Sequence, residues 1–121
     1  MTTTVVSDSG PLIHLTEAKA IHLLTTLGPV FIPAAVANEV HRITGNEDWK
    51  SFVSVKSLND ERLSQVKPLC QVAGLHGGEA EAIVLSESMS GSVLLTDDTA
   101  ARLYATHLGI EVRGSLGLVL C

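Results

Sequence analysis

Residues 92–102 read SVLLTDDTAAR, an apolar run that ends in two adjacent carboxylates, Asp97 and Asp98. The apolar residues at 93–95 are consecutive rather than alternating, which is typical of a strand buried on both faces of a parallel sheet. Helical spacing follows the acids, and Asp is a preferred residue at the N-terminal cap of a helix. The stretch therefore predicts a buried strand, a polar turn and a helix.

The N-terminus repeats this arrangement, because residues 3–15 read TTVVSDSGPLIHL and lead from an apolar strand into Asp8. The remaining strands are expected at residues 30–32, 52–58 and 110–114. Helices are expected at residues 9–27 as two short pieces, 33–43, 59–69 with Asn59 as its cap, 79–89 and 98–108. This alternation predicts an α/β sandwich with a mainly parallel sheet. Ligands bind beyond the carboxyl ends of such strands, so Asp8 and Asp97 should share one edge.

Composition limits the classes of function. The chain has 121 residues, an apolar content of 45% and a formal net charge of −5, which fits one domain that does not hold nucleic acid by general attraction. Bound divalent cations would change the sign of an acidic site. Two cysteines, Cys70 and Cys121, do not suggest a zinc site or a disulfide framework. Without a signal-like start or a run of ~20 apolar residues, the sequence predicts a soluble, cytoplasmic protein with no membrane partner.

Each acid has an ordinary structural explanation. Asp8, Asp97 and Asp98 can cap helices, and Glu79 can complement a helix dipole. Glu39 is different, because it lies on or beside the apolar stripe formed by Val36 and Val40, where an unpaired carboxylate is costly.

Taken together, four acids come from segments that the predicted topology can bring to one end of the sheet: Asp8, Glu39, Glu79 and Asp97. Crowded carboxylates raise one another's pKa or require a counter-ion. Oxygen ligands without an accompanying His or Cys pair favour Mg²⁺ or Mn²⁺ over zinc.

Other chemistries find little support. The five histidines form no HExxH spacing, Ser9 and Ser115 lack a nucleophile-elbow pattern, and AGLHGGEA lacks the Lys and Ser or Thr of a phosphate-binding loop. Phosphoryl transfer through an aspartyl intermediate on Asp8 would require a second acid where Gly10 stands.

Four blocks in order resemble the PIN-domain family, in its prokaryotic branch related to toxin ribonucleases: VVSDSGPLIHL, FIPAAVANEV, LHGGEAEAIVLSES and VLLTDDTAARLYATHLGIEVRGSLGLVL. The resemblance implies a Rossmann-like PIN fold, a three-layer α/β/α sandwich with a central, mainly parallel sheet. Relatives usually continue into a further helix. The expectation is thus a single PIN-like domain over residues 1–121, either a truncated product or a short variant that lacks the C-terminal helix.

The resemblance also implies site residues and chemistry. It maps the family's metal-binding, catalytic acids onto Asp8, Glu39, Glu79 and Asp97. Weaker candidates for supporting the acids or contacting substrate are Ser9, Thr96, Asp98, Thr99 and Arg102. One or two Mg²⁺ or Mn²⁺ ions would then serve hydrolysis of phosphodiester bonds by an endoribonuclease.

The implied biological role is the toxin of a toxin–antitoxin pair, with an RNA substrate and a small antitoxin protein as partners. The apolar run Leu116–Cys121 adds the expectation of a homodimer or higher oligomer. The alternative is a catalytically weak or inactive PIN-like module that binds nucleic acid or regulates, which the scarcity of basic residues favours.

Overall fold

The computed structural model describes residues 3–114. Within this range the chain forms five strands, five α-helices and two 3-10 helices, the latter at residues Ile21–Thr26 and Asp48–Phe52. The strands are β1 (Val5–Ser7), β2 (Val30–Ile32), β3 (Ser54–Val55), β4 (Val93–Leu95) and β5 (Glu111–Arg113). The helices are α1 (Ser9–Glu17), α2 (Ala34–Thr44), α3 (Asp60–Ala73), α4 (Gly77–Ser88) and α5 (Thr99–His107).

All the strand pairs are parallel, and the sheet order is β3-β2-β1-β4-β5. The chain moves from β1 to β2 and β3 on one side, then returns to the other side of β1 for β4 and β5. The direction of winding therefore reverses between β1 and β4, the position where open α/β sheets bind ligands. The predicted α/β fold with a parallel central sheet is confirmed.

Two apolar cores lie on opposite faces of the sheet, because neighbouring strand residues point to opposite sides. Val5 packs in the core that holds the buried residues of α1 and α2, whereas Val6 packs in the core that holds those of α4 and α5. The adjacent valines of β1 thus create the three layers. The chain's single Trp, Trp49, is fully buried in the first core.

Local signals explain most element ends. Asn59 caps α3, its side chain accepting from the N–H of Arg62 at 2.8 Å, and Gly45 ends α2 with a φ of +62°, a conformation that favours glycine. The strand predicted at 52–58 was wrong in length: only Ser54–Val55 forms it, at the sheet edge, where Val55 is 53% exposed.

Two expectations lie outside the described residues: the lack of a C-terminal helix and the role of the apolar run Leu116–Cys121 in assembly. Within residues 3–114, no helix is both long enough and apolar enough to cross a membrane.

Candidate metal and nuclease site

Asp8 is fixed at the carboxyl end of β1. Its backbone N–H donates to the carbonyl of Leu95 at 2.9 Å, so the residue continues the pairing of β1 with β4. One carboxylate oxygen accepts from the N–H of Ser9 at 2.8 Å, and the other accepts from the hydroxyl of Thr96 at 3.0 Å. The side chain is therefore both an N-terminal cap of α1 and a rigidly held acid at the edge of the sheet.

Glu39 projects from α2 toward the same edge. Its neighbours Val36 and Val40 are fully buried, and the hydroxyl of Ser9 donates to its Oε1 atom at 2.9 Å. A Cβ atom built on Gly78 would lie 3.5 Å from Oε2 of Glu39, so this carboxylate lies against the N-terminus of α4. Ser9 thus links α1 to Glu39 directly beside Asp8.

Glu79 and Asp98 both act at helix N-termini. Glu79 accepts from the backbone N–H of His76 at 2.8 Å at the start of α4. Asp98 caps α5 by accepting from the N–H of Ala101 at 2.8 Å. These structural roles coexist with electrostatic contact between the two acids, because hydrogen bonding to Asp98 helps to raise the pKa of Glu79.

The pKa shifts connect these acids. Burial is the largest cause that raises the pKa of Asp8 above its ordinary value of 3.8, and the negative charges of Glu39 and Asp98 raise it further. Partial burial likewise raises the pKa of Glu79, and the charges of Asp98 and Asp8 add to the effect. We call Asp8, Glu39, Glu79 and Asp98 the acid cluster. It lies where the winding of the sheet reverses.

Asp97 is oriented differently from its neighbour Asp98. Its Oδ2 atom lies 2.9 Å from Nδ1 of His14 in α1. Its Oδ1 atom and Nη1 of Arg102 lie 3.0 and 2.8 Å from the position that a Cβ atom on Gly114 would take. The sequence grouped Asp97 with the metal-binding acids and gave Asp98 a supporting role, whereas the structure couples Asp98 to Asp8 and Glu79 and places basic side chains beside Asp97.

The weaker candidates take varied positions. Ser9 and Thr96 donate to Glu39 and Asp8, as described above, and the Thr96 hydroxyl also accepts from the N–H of Asp98 at 3.2 Å. Thr99 is exposed at the first position of α5. His14 was not singled out from the sequence, and no spacing signal could have revealed it, since 83 residues separate it from Asp97.

The side chains of the acid cluster are chemically suited to bind a divalent cation, but their positions in the structure are too far apart to coordinate one. Its donors are carboxylate oxygens, which Mg²⁺ and Mn²⁺ prefer, and a cation would relieve the repulsion that raises the pKa values of Asp8 and Glu79. However, no three His, Cys, Asp or Glu side chains between residues 3 and 114 converge closely enough to hold an ion. Binding would therefore require carboxylates to rotate, and Glu39 and Glu79 have the longer side chains for it.

A parallel α/β sheet that gathers acids at its reversal point belongs to the class of open α/β folds that bind ligands at this edge, and its carboxylates suit divalent cations. The family model for the PIN domain matches residues 4–121, and the chain belongs to that family. PIN domains form a nuclease superfamily and generally use divalent metal ions. The resemblance of the sequence to the PIN-domain family is thereby confirmed.

Solved structures support the fold. The chain is similar to PAE2754 from Pyrobaculum aerophilum, with 21% identity, a TM-score of 0.63 and coverage of 99% of this chain and 96% of that one. It is also similar to the PilT N-terminus domain protein SSO1118 from the archaeon Sulfolobus solfataricus, with 16% identity, a TM-score of 0.61 and coverage of 98% and 92%. No curated protein sequence matches the chain significantly.

Proposed function

We propose that this PIN-domain protein is a divalent-metal-dependent endoribonuclease that hydrolyses phosphodiester bonds at the acid cluster. The observation that carries the proposal is the electrostatic coupling of Asp8, Glu79 and Asp98, acids from three separate segments, at the reversal point of the sheet. Helices that follow parallel strands all begin at this edge, so capping alone explains the common location of the acids. Capping does not explain the burial of Asp8 or the repulsion between carboxylates that raises the pKa values of Asp8 and Glu79.

Different members of the acid cluster would contribute different kinds of ligand to an ion. Asp8 supplies a fixed carboxylate, because the backbone of Ser9 and the hydroxyl of Thr96 set its orientation. Glu39 and Glu79 supply longer side chains, and Asp98 completes the acid cluster, whereas Asp97 lies beside His14 and near Arg102. Mg²⁺ or Mn²⁺ bound there would supply electrophilic stabilisation of the phosphate and activation of a water molecule.

The biological role that we propose is the toxin of a toxin–antitoxin pair, inhibited by a small antitoxin protein and assembled as a homodimer or higher oligomer. The supporting observations are the four sequence blocks that resemble toxin ribonucleases and the apolar run Leu116–Cys121. A small reading frame next to this gene, whose product binds the purified protein, would support the pairing. Light scattering that shows a monomer at high micromolar concentration would contradict the oligomer.

A second candidate function is a catalytically weak or inactive PIN-like module that binds nucleic acid or regulates. The observation that favours it is that the described acids do not converge closely enough to hold an ion. The small number of Lys and Arg residues, 8 against 13 Asp and Glu, also limits the attraction for RNA.

Cleavage of a labelled single-stranded RNA by the parent and by Asp8→Asn, each with Mn²⁺, Mg²⁺ or EDTA, separates these functions. The nuclease proposal expects metal-dependent cleavage that Asp8→Asn loses. RNA binding without cleavage under any metal condition would favour the inactive module instead. Equal cleavage by the parent and the variant would indicate a contaminating nuclease and contradict the proposal.

A further inference from the structure

Arg102 lies at the carboxyl edge of the sheet, the edge that also carries the acid cluster. It is an exposed residue near the start of α5, and its guanidinium approaches Gly114 just after β5. Oδ1 of Asp97 approaches the same point, and so does the carbonyl of Thr96, at 3.8 Å from the Cβ position of Gly114. Nη1 of Arg102 and Oδ1 of Asp97 therefore border the same point, and Asp97 directly follows Thr96, whose hydroxyl contacts Asp8.

Asp97 stands between two basic side chains from opposite faces of the sheet. Its Oδ2 atom is bonded to His14 of α1, which packs on one face. Its Oδ1 atom lies on the side of Arg102, which belongs to α5 on the other face. The two oxygens of Asp97 thus lie near basic side chains, whereas Asp98 interacts electrostatically with Asp8 and Glu79.

A positively charged side chain at this edge would help a nucleic-acid substrate to bind next to the acid cluster. Every phosphate of the chain carries a negative charge, so the acid cluster repels the phosphates that adjoin the scissile bond. An ion held by the acid cluster would offset this repulsion most strongly for the nearest phosphate and less for the adjoining ones. The guanidinium group is permanently charged and presents a planar fork that matches phosphate oxygens.

We propose that Arg102 binds the phosphate next to the scissile one in single-stranded RNA, and that Asp97 and His14 are positioning residues that hold its guanidinium. This inference rests on the proposed nuclease function. In this proposal the two adjacent acids have different roles. Asp98 belongs to the acid cluster, and Asp97 orients the arginine that binds the phosphate. The competing explanation is an ion pair between Arg102 and Asp97 that only stabilises the start of α5.

Steady-state cleavage with Mn²⁺ tests the proposal in five proteins: the parent, Arg102→Gln, Arg102→Lys, Asp97→Asn and the control Arg42→Gln. Arg42 is exposed in the last turn of α2, so its exchange removes the same charge away from the acid cluster. We expect Arg102→Gln to raise KM about tenfold while kcat changes little, because a charge-assisted contact to the bound substrate is lost. Arg102→Lys should recover part of the affinity, and Arg42→Gln should match the parent.

The positioning role predicts that Asp97→Asn also raises KM, by less than Arg102→Gln does, and keeps the increase in melting temperature that Mn²⁺ produces. His14→Ala should act in the same direction. Fluorescence anisotropy of a labelled oligoribonucleotide, with Ca²⁺ in place of Mn²⁺, provides a binding measurement that does not require turnover. In it, Arg102→Gln should also reduce the slope of log affinity against log salt by about 0.7, the value for one phosphate contact to a single strand.

The outcomes separate this inference from the proposed function. A parent that neither cleaves nor binds RNA overturns both. A parent that cleaves, together with an Arg102→Gln variant of parental KM and affinity, overturns the phosphate contact alone and leaves the ion pair. An Asp97→Asn variant that loses the Mn²⁺-induced stabilisation overturns the positioning role, because Asp97 would then be a ligand of the ion.

Discussion

The hydroxyl of Thr96 donates a 3.0 Å hydrogen bond to Oδ2 of Asp8, joining residues that are 88 positions apart in the sequence. The bond is possible because β1 and β4 are neighbours in the sheet, with Ser7 opposite Leu95 in the register. It is one of two bonds that stabilise the charged form of a buried carboxyl, the other being from the N–H of Ser9. Thr96 therefore helps to keep Asp8 available as an anion.

Thr96→Val should destabilise the protein at neutral pH while preserving the shape of the side chain. Removal of the hydroxyl leaves one oxygen of Asp8 and the N–H of Asp98 without this partner, which should lower the free energy of unfolding by about 1–3 kcal/mol. Urea unfolding followed by the fluorescence of buried Trp49 measures the change. The control is Thr99→Val at an exposed position, and equal stability of the two variants would contradict the role of Thr96.

Mn²⁺ or Mg²⁺ should raise the melting temperature, because an ion that binds only the folded protein stabilises it by mass action. At a concentration 100 times the dissociation constant, the gain is about 2.7 kcal/mol, which corresponds to roughly 10 °C for a domain of this size. Thermal melts with increasing Mn²⁺ measure the effect, and Asp8→Asn should reduce it strongly. A melting curve that millimolar Mn²⁺ leaves unchanged would rule out the metal site.

Asp8→Asn and Asp98→Asn separate capping from catalysis, because both acids cap helices and Asn caps helices about as well as Asp. In EDTA, each variant should be as stable as the parent or more stable, since each exchange removes a charge from a crowded edge. With Mn²⁺, the exchange of an ion ligand should abolish most cleavage of labelled RNA.

The asparagine of the Asp8→Asn variant is expected to fit. Its amide oxygen can accept from the N–H of Ser9, and its NH₂ group can donate to the hydroxyl of Thr96. The control is Asp60→Asn, an exposed residue at the start of α3, which should be silent in both assays. Retention of parental cleavage by Asp8→Asn would remove Asp8 from the catalytic residues.

The raised pKa of Asp8 predicts how the stability gained in Asp8→Asn depends on pH in metal-free buffer. Between 3.8 and its raised pKa, the folded parent binds more protons than the unfolded chain does, so the stability of the parent falls as pH rises through this window. The asparagine side chain of the variant does not titrate. The advantage of the variant should therefore be smallest below pH 3.8, grow as pH rises and become constant above the raised pKa.

Urea unfolding of both proteins in EDTA, from about pH 3.5 to 7, measures this difference. Subtraction of the two curves cancels acids that titrate alike in the two proteins, apart from those that interact with Asp8, such as Glu79. A difference that shrinks as pH rises would show that the pKa of Asp8 is lowered by its hydrogen bonds rather than raised by burial.

Much of the fold could be predicted from local sequence, because the decisive signals are local. Consecutive valines at positions 5 and 6 required burial on both faces, and the strand at 93–95 was predicted with its observed bounds. The strand at 52–58 was overestimated, since Val55 is apolar but lies at an exposed sheet edge. Apolarity alone does not reveal whether a neighbouring strand or helix will cover a side chain.

The division of tasks between Asp97 and Asp98 could not be predicted in this way. The two residues are adjacent, identical in chemistry and equally placed after β4. Asp98 is oriented by its capping of α5, and Asp97 is oriented by its contact with His14, a residue distant in the sequence. These are tertiary contacts without a signal in residue spacing, whereas the meeting of Asp8 with the acids after β4 follows from parallel strand order.

Gly114→Ala should displace Arg102 without unfolding the protein. The added Cβ atom would lie 2.8 Å from Nη1 of Arg102 and 3.0 Å from Oδ1 of Asp97, closer than carbon atoms normally approach such groups. The far end of an exposed arginine can move at little cost, so the melting temperature in EDTA should stay within a few degrees of the parent. The displacement should nevertheless raise KM for RNA toward the value of Arg102→Gln, with Mn²⁺-induced stabilisation retained.

The matched control is Gly77→Ala, because a Cβ atom on Gly77 meets no described atom within 4 Å and the residue begins α4. The double variant with Gly114→Ala and Arg102→Gln provides the sharper comparison. If the alanine acts by displacing the guanidinium, it should add almost nothing once that group is absent, since the two changes then share one mechanism. Additive increases in KM would show that Gly114→Ala affects substrate binding independently of Arg102. The position of Arg102 near the end of β5 would then not explain the effect of the alanine.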